Sequence, residues 1–202
     1  MSGVQRRKKG KETRVTILRA AKDLLLEDGY GKFVFRGVAK RAGVEPGNVQ
    51  YYFASKRDLI WAVLEPELEG YLTRLENAVK KGRTKKEKIT RMVRFLLSDV
   101  TNKDTLNLWV AIWGMAAHDE ELAKMVGVFY RTFIEGLSVA LREIFPRLER
   151  DRAIETATLI TAQFDGLLIV FLLGKPQRKT IAGIKRNFGT VVTRIIDGNH
   201  GS

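Results

Sequence analysis

The chain has 202 residues, of which 45% are apolar and none is cysteine. That length allows one large domain or a small domain fused to a medium one, and the apolar share excludes a disordered chain. The lack of cysteine excludes disulfides, thiolate zinc sites and cysteine nucleophiles, and it fits a reducing cytoplasm. No uninterrupted apolar run reaches the roughly 18 residues of a membrane span, so we expect no membrane partner.

Positive charge is concentrated in the first third of the chain. The whole sequence carries 36 basic and 23 acidic side chains, a net charge of +13. Residues 1–60 hold 14 basic and 6 acidic side chains, a net charge of +8, which leaves +5 for the rest. Such an excess is expected when one small domain faces a polyanion, although a surface tuned for solubility would look the same.

Helical periodicity persists along the whole sequence, and no strand alternation interrupts it. Predicted helices cover about residues 12–28, 36–42, 46–53, 55–81, 84–101, 104–117, 119–145, 149–174 and 178–197. Candidate N-caps are Ser55, Thr84, Asp104 and Asp119. Gly29 and Gly31 would close the first helix. Pro66 predicts a kink or break in the fourth helix. The fold class is therefore all-α, with a three-helix domain over residues 1–56, whose tail 1–11 is flexible, and a larger helical domain over 57–202.

The segment from Phe35 to Lys56 has the pattern of a helix-turn-helix. Its first helix has a narrow apolar face, Gly43 sits where the chain must turn, and Pro46 suits the first turn of the second helix. The apolar residues that should join the two helices are Val38, Ala39, Ala42, Val49, Tyr52 and Phe53. A polar outer face on the second helix would then enter the major groove of DNA.

That outer face carries side chains suited to reading DNA. Asn and Gln can pair bidentately with adenine, Tyr hydroxyls reach phosphates, and a glycine lets the backbone come close. Basic side chains at the starts of the flanking helices would add phosphate contacts, although Arg36 and Arg41 could equally be solvated charges. The candidate DNA-binding residues are Arg36, Gly47, Asn48, Gln50, Tyr51 and Lys56.

This stretch resembles the signature of the TetR family of transcriptional regulators. The resemblance rests on A-x-x-A-G-V from Ala39 to Val44, P-G-x-x-x-Y-Y-F from Pro46 to Phe53, and K-x-x-L from Lys56 to Leu59. Two departures matter: Val34-Phe35 stands where many members have a threonine, and Gln50 where many have an aromatic residue. The resemblance implies a cytoplasmic, dimeric, ligand-responsive DNA-binding regulator, most simply a repressor released by a small effector from a pseudo-palindromic operator in double-stranded DNA.

The body resembles the BetI-type branch of that family, through W-x-x-x-W from Trp109 to Trp113 and the segment F-D-G-L from Phe164 to Leu167. The resemblance implies effector binding in the body and dimerisation through the last two helices, although those helices could instead bury within their own domain. Candidate ligand-binding residues are Trp109, Trp113, Phe129, Tyr130, Phe133, Gln163 and Phe164. The two tryptophans share a helix face and could hold a choline-like cation by cation–π contact, or simply form core. Asp165 is either a structural hydrogen-bonding partner or a ligand counter-ion.

Two other functional classes fit a basic, all-helical chain less well. A helical enzyme with a basic surface is disfavoured because the chain has only two histidines, no carboxylate pair at diagnostic spacing and no phosphate-binding glycine loop. A non-sensing architectural DNA-binding protein would need a packed body without a ligand cavity. We therefore expect a transcriptional regulator that is not an enzyme and that has no cofactor and no metal site.

Overall fold

The computed structural model describes residues 3–28, 32–99, 102–174 and 177–198. Within them lie nine α-helices and no strand. The helices are α1 (Gly3–Asp28), α2 (Phe35–Ala42), α3 (Pro46–Tyr52), α4 (Lys56–Lys80), α5 (Lys85–Asp99), α6 (Lys103–Ala116), α7 (Glu120–Ile144), α8 (Arg150–Gly174) and α9 (Arg178–Gly198). The predicted all-α class and the nine predicted helices are confirmed, with most ends displaced by no more than one or two residues.

Side-chain caps fix where several helices begin. Ser55, Thr84 and Asp119 each accept a hydrogen bond from the backbone N–H three residues further on, at 3.1, 3.2 and 3.0 Å. The fourth predicted cap, Asp104, is wrong. Asn102 precedes the first residue of α6, and its Oδ1 accepts from the backbone N–H of Asp104 at 2.9 Å and of the following residue at 3.2 Å. An amide oxygen in that place satisfies N–H groups that have no partner within the helix.

The N-terminal helix is longer than predicted. α1 begins at Gly3 rather than near Glu12, so residues 3–11, which the sequence predicts as a flexible tail, are helical. The glutamine, arginine and lysine side chains in this stretch are good helix formers, and Thr13 Oγ1 donates back to the carbonyl of Lys9 at 2.9 Å. The predicted closing residues Gly29 and Gly31 lie outside the described residues.

Pro66 does not break the fourth helix. α4 runs from Lys56 to Lys80 with Pro66 inside it, although proline removes one backbone hydrogen bond from a helix interior. Buried apolar side chains on both sides of the proline, among them Leu64 and Leu68, hold their turns in helical geometry by packing. The predicted break is therefore wrong, because burial on both sides stabilises the helix more than its propensity does, while the kink predicted as the alternative stays a prediction.

The chain forms two compact units whose limits differ from the predicted boundary at residues 56 and 57. The first unit comprises Met1–Glu67 and Asn107–Val126, so the start of α4 and most of α6 belong with the helix-turn-helix. α1 packs on α2, and α2 packs on α3. The fully buried side chains of this unit include Ile17, Leu25, Phe33, Leu59, Ile60, Ile112 and Met115.

The second unit comprises Leu68–Leu106 and Gly127–Ser202. α9 packs against both α5 and α8, and fully buried side chains of the unit include Leu75, Met92, Leu96 and Leu137. By length and composition alone α8 is apolar enough to cross a membrane, a test that core helices also pass. Eight of its residues, among them Ile160, Phe164 and Leu168, are buried within the structure.

Candidate functional site

The turn between α2 and α3 has the geometry that a helix-turn-helix requires. Gly43 ends α2 with φ 66° and ψ 34°, a left-handed conformation that glycine adopts without a Cβ penalty. The backbone N–H of the next residue, Val44, donates to the carbonyl of Ala39 at 3.0 Å. α3 then begins at Pro46, where a missing N–H costs nothing. Val38 and Val49 are fully buried, as predicted for the contact between the two helices.

The outer face of α3 is polar and open to solvent. Asn48 and Gln50 are exposed, and the side chain of Tyr51 is 82% exposed, whereas Val49 between them is buried. Gly47 is also exposed, and a Cβ added there would meet no atom within 4 Å. Four of the six predicted DNA-binding residues therefore share one accessible face, which makes the arrangement able to enter a major groove.

Tyr52 takes a different position from its neighbour. It is half-buried, its ring meets that of Tyr51 edge to face at 5.1 Å, and its hydroxyl lies beside Gly10 of α1, 3.4 Å from where a Cβ would be. Arg14 of α1, which no spacing in the sequence links to the motif, lies with its guanidinium 5.4 Å from the ring centre of Phe53. The long α1 therefore supports the inner side of α3.

The basic side chains around α3 differ in how they are held. Arg36 is exposed, whereas Arg41 forms ion pairs with Glu27 and Asp28, which leaves its guanidinium engaged within the protein. Lys56 is half-buried, with its Nζ 5.5 Å from the ring centre of Phe33. Burial lowers the pKa of Lys56, and the nearby carboxylate of Asp119 opposes that shift. Contact of Arg36 and Lys56 with phosphate stays a prediction.

The substitution Lys56→Ala tests that prediction through salt dependence. Loss of one phosphate contact from each subunit should weaken binding to every DNA sequence alike and flatten the plot of log affinity against log salt by about one unit per bound subunit. Fluorescence anisotropy with operator and non-operator duplexes at several salt concentrations measures both effects. Lys80→Ala, which removes an exposed lysine of the same helix, is the control, and an unchanged slope for Lys56→Ala would exclude the contact.

The predicted ligand residues fall in both compact units. Trp109 and Trp113 belong to the first, where both are half-buried and their rings stack with centres 5.9 Å apart. α6, which carries them, is tied to α1 of the same unit by Asn107 Nδ2, which donates to the carbonyl of Leu26 at 3.5 Å. A pair of stacked indoles can form either core or one wall of a site for a cation.

The remaining predicted ligand residues belong to the second unit. Phe129, Phe133 and Phe164 are buried there, and the ring of Phe133 lies 5.7 Å from that of Tyr71. Gln163 is half-buried and lines a groove of about 440 Å³ between α8 and α9, on the side predicted to dimerise. A ligand role for these residues stays a prediction.

Tyr130, also a predicted ligand residue, makes a hydrogen bond to Asp165. The hydroxyl of Tyr130 donates to Asp165 Oδ2 at 2.8 Å, so the structural hydrogen bond that the sequence suggested for this carboxylate is present. Burial raises the pKa of Asp165 to about 6, and the hydrogen bond from Tyr130 opposes the shift. The carboxylate is thus ionised near neutral pH at a cost in free energy of folding.

The variant Asp165→Asn should be more stable than the parent protein at pH 7.5. The folded-state pKa of about 6 exceeds the ordinary value of 3.8, so the contribution of Asp165 to stability is fully present below 3.8 and is lost as pH rises through about 6. Two pKa units correspond to at most about 3 kcal/mol, and the amide keeps an oxygen that accepts from Tyr130. Thermal unfolding at pH 7.5 and pH 4 measures the difference, which should shrink at the lower pH; a constant difference would contradict this account.

Exposed apolar side chains gather towards the end of α8. On α8, Val170 is 53% and Leu173 75% exposed, and Leu159 and Ile169 are exposed as well. On α9, Val191 is exposed. Solvent-exposed side chains of this size on neighbouring helices are typical of a surface that another protein covers. Val170 and Val191 line the same groove as Gln163, on the pair of helices that the sequence predicts to dimerise.

Comparison with known proteins identifies the class. A model described as bacterial regulatory proteins of the tetR family matches residues 17–63, and one described as the C-terminal domain of BetI-type transcriptional repressors matches residues 85–188. The second covers more than half of the chain, so the chain belongs to the TetR family of bacterial transcriptional regulators, with a BetI-type C-terminal domain. The prediction of a DNA-binding regulator rather than an enzyme is thereby confirmed.

Individual relatives agree with that membership. The HTH-type transcriptional regulator BetI of Rhizobium meliloti (strain 1021) is 27% identical over 157 residues, which are 77% of this chain and 76% of the relative. A transcriptional regulator from Saccharomonospora viridis, solved in complex with choline, shares the fold with a TM-score of 0.72 at 21% identity, covering 91% and 96% of the two chains. FadR from Bacillus subtilis, solved with stearoyl-CoA, does so with a TM-score of 0.71 at 18% identity, covering 91% and 98%. Regulators of this family bind operator DNA and small effectors, are typically dimers and are generally cytoplasmic.

Proposed function

We propose that the protein is a cytoplasmic homodimeric repressor, which reads a pseudo-palindromic operator with α3 and leaves it when a small effector binds. The observation that carries the proposal is the face of α3, where Asn48, Gln50 and Tyr51 are exposed around the buried Val49. One such short helix reads only a few base pairs, so a dimer must place two of them in successive major grooves about 34 Å apart.

The dimer is proposed to form through α8 and α9. Exposed side chains such as Val170 and Leu173 would be costly to leave in water and would be buried by a second copy of the same surface. Two helices from each subunit would then make a four-helix bundle with a self-complementary interface.

A small organic cation is the proposed effector, with choline as the first candidate. Support comes from the BetI relative, from the choline complex of the Saccharomonospora viridis regulator, and from two kinds of group that favour cations. These are the stacked indoles of Trp109 and Trp113 in the first unit and the half-buried carboxylate of Asp165 in the second. The stearoyl-CoA complex of FadR makes acyl compounds the second candidate class.

The first unit offers a direct route from α6 to the DNA-binding helices. The first turn of α7 contacts the start of α4, where Arg57 lies 3.8 Å from Glu121, and Asp119 in the turn between α6 and α7 acts on the charge of Lys56. A ligand that displaces α6 would therefore act on the residues next to α3 without an intermediate domain. Effector binding shifts the equilibrium only if it favours the displaced arrangement over the DNA-bound one.

Operator release measured with effector titrations tests this proposal. Choline, glycine betaine and acyl-CoA compounds are added to a complex of the protein with fluorescent operator DNA, and anisotropy reports dissociation. If choline acts at the indole pair, Trp109→Ala and Trp113→Ala should raise the concentration for half-release at least about tenfold, since cation–π contacts in desolvated sites are worth about 2 kcal/mol. Trp61→Phe, in α4 of the same unit, is the control and should respond as the parent protein does. If no compound of either class releases the operator, the effector proposal fails while operator binding itself still stands.

A further inference from the structure

A second groove lies in the second unit, between α5 and α9, with a volume of about 1040 Å³. Polar and basic side chains recur at every fourth residue along both of its walls. Residues four apart lie above one another on one side of a helix, so each wall is a continuous stripe. The stripes are Lys86, Thr90, Arg94 and Ser98 on α5, and Arg186, Thr190 and Arg194 on α9.

The base of this groove is apolar. Ile89, Val93 and Leu97 line it from α5; Val93 and Leu97 are buried, and Ile89 is half-buried. Gly189 of α9 lines the groove opposite Val93, and a Cβ added there would make an ordinary van der Waals contact with Val93 Cγ1 at 4.0 Å. The methylene stems of the lysine and arginine side chains extend this apolar surface up the walls. The groove thus combines an apolar base with charged rims.

The positive charge on the rims is not neutralised within the described part of the chain. Lys86, Arg94, Arg186 and Arg194 form no ion pair there, and none of the residues that line the groove is acidic. The hydroxyl of Thr90 donates to the carbonyl of Lys86 at 2.8 Å, and the charged donors at the rims are the ammonium and guanidinium groups. Those groups are matched by carboxylate or phosphate oxygens.

We propose that this groove docks an amphipathic, acidic helix of a partner protein. The stripe from Lys86 to Ser98 spans about 18 Å, which is a little more than three helical turns. A helix with an apolar stripe flanked on both sides by glutamate or aspartate would bury the stripe on Ile89 and place its carboxylates at both rims. Docking of such a helix would involve residues of α5 and α9 only, and neither α3 nor the effector.

The distribution of charge favours this occupant over two others. An amphiphile with a single anionic head needs basic groups at one end only, whereas here they stand on both walls and are eight residues apart along each, at Lys86 and Arg94 and at Arg186 and Arg194. A nucleic-acid backbone would use the distributed charge but would leave the apolar base unmatched, since its affinity comes from phosphate contacts.

The test uses the full-length protein and two labelled 18-residue peptides. One carries a leucine stripe at helical spacing flanked by glutamates, and in the other every glutamate is replaced by lysine. The groove variant is Arg94→Glu with Arg194→Glu. Its matched control is Arg91→Glu with Lys179→Glu, which makes the same charge change at exposed positions on the same two helices, outside the groove lining.

We expect the acidic peptide to bind the parent protein and the control variant alike, and the groove variant at least about tenfold more weakly. The lysine peptide should bind the groove variant better than the parent protein. Thermal unfolding and operator binding should be unchanged in both variants, which separates this result from any failure of the repressor function.

Equal loss in both variants, no gain for the lysine peptide, or no binding of the acidic peptide at 100 µM would overturn the proposal. Binding of dodecyl phosphate or non-operator DNA in its place, lost only in the groove variant, would assign the groove to a lipid or to nucleic acid.

Discussion

Replacing both Val170 and Leu173 by aspartate is expected to convert the proposed dimer into a monomer and to lower operator affinity by on the order of a thousandfold. Both side chains are more than half exposed on α8. A self-complementary interface would bury both of them from each of the two subunits. Four introduced carboxylates in an apolar interface would each lose hydration without a partner, a cost of several kcal/mol in total. A monomer also presents one recognition helix where the operator offers two half-sites.

Analytical ultracentrifugation measures the first effect and fluorescence anisotropy with operator DNA the second. Val139→Asp is the matched control, because Val139 of α7 is 55% exposed, close to the 53% of Val170. That control should remain a dimer with parental operator affinity. A double variant that is still dimeric at micromolar concentration would show that α8 is not the interface, and a parent protein that is already monomeric would exclude the dimer itself.

The second large effect is expected when Asn48 and Gln50 are both replaced by alanine. Each bidentate contact between an amide side chain and a base is worth about 1–3 kcal/mol of discrimination, and the dimer would lose both contacts in each half-site. Operator affinity should fall at least about a hundredfold, whereas affinity for non-operator DNA should hardly change. Both side chains are exposed, so the fold should be unaffected.

Binding to a library of operators mutated at single positions identifies which base each amide reads. The single variants Asn48→Ala and Gln50→Ala should each relax the preference at a different position of the half-site. Gln177→Ala removes an exposed amide far along the sequence from the motif and serves as the control. If both single variants weaken operator and non-operator DNA equally, these residues position the protein and do not read bases.

The motif and the helices could be predicted because their signals are local. Gly43 at a turn, Pro46 at a helix start and apolar residues at helical spacing each reflect the conformation of a few neighbouring residues. The same local reasoning failed at Asp104, because two polar residues lay near the start of α6 and only Asn102 occupies the capping position. It failed at Pro66 because burial of residues on both sides outweighs the local cost.

Features that depend on contacts between distant segments could not be predicted. Nothing in the sequence indicates that residues 107–126 form one compact unit with the helix-turn-helix, because that assignment rests on packing across more than forty intervening residues. The basic groove is a similar case. Each stripe is visible at four-residue spacing on its own helix, but only the packing of α5 against α9 brings the two together.

The unbroken α1 makes the protein well suited to spectroscopic distance measurement. Because the chain has no cysteine, a single Lys8→Cys substitution introduces a thiol that a nitroxide label modifies without background. A label on residue 8 would be attached to a helix whose residues Ile17 and Leu25 are buried in the core of the first unit, so the label would move with that unit. In the proposed dimer, pulsed electron paramagnetic resonance would measure the distance between the two labels. That distance would report the separation of the recognition helices as effector is added.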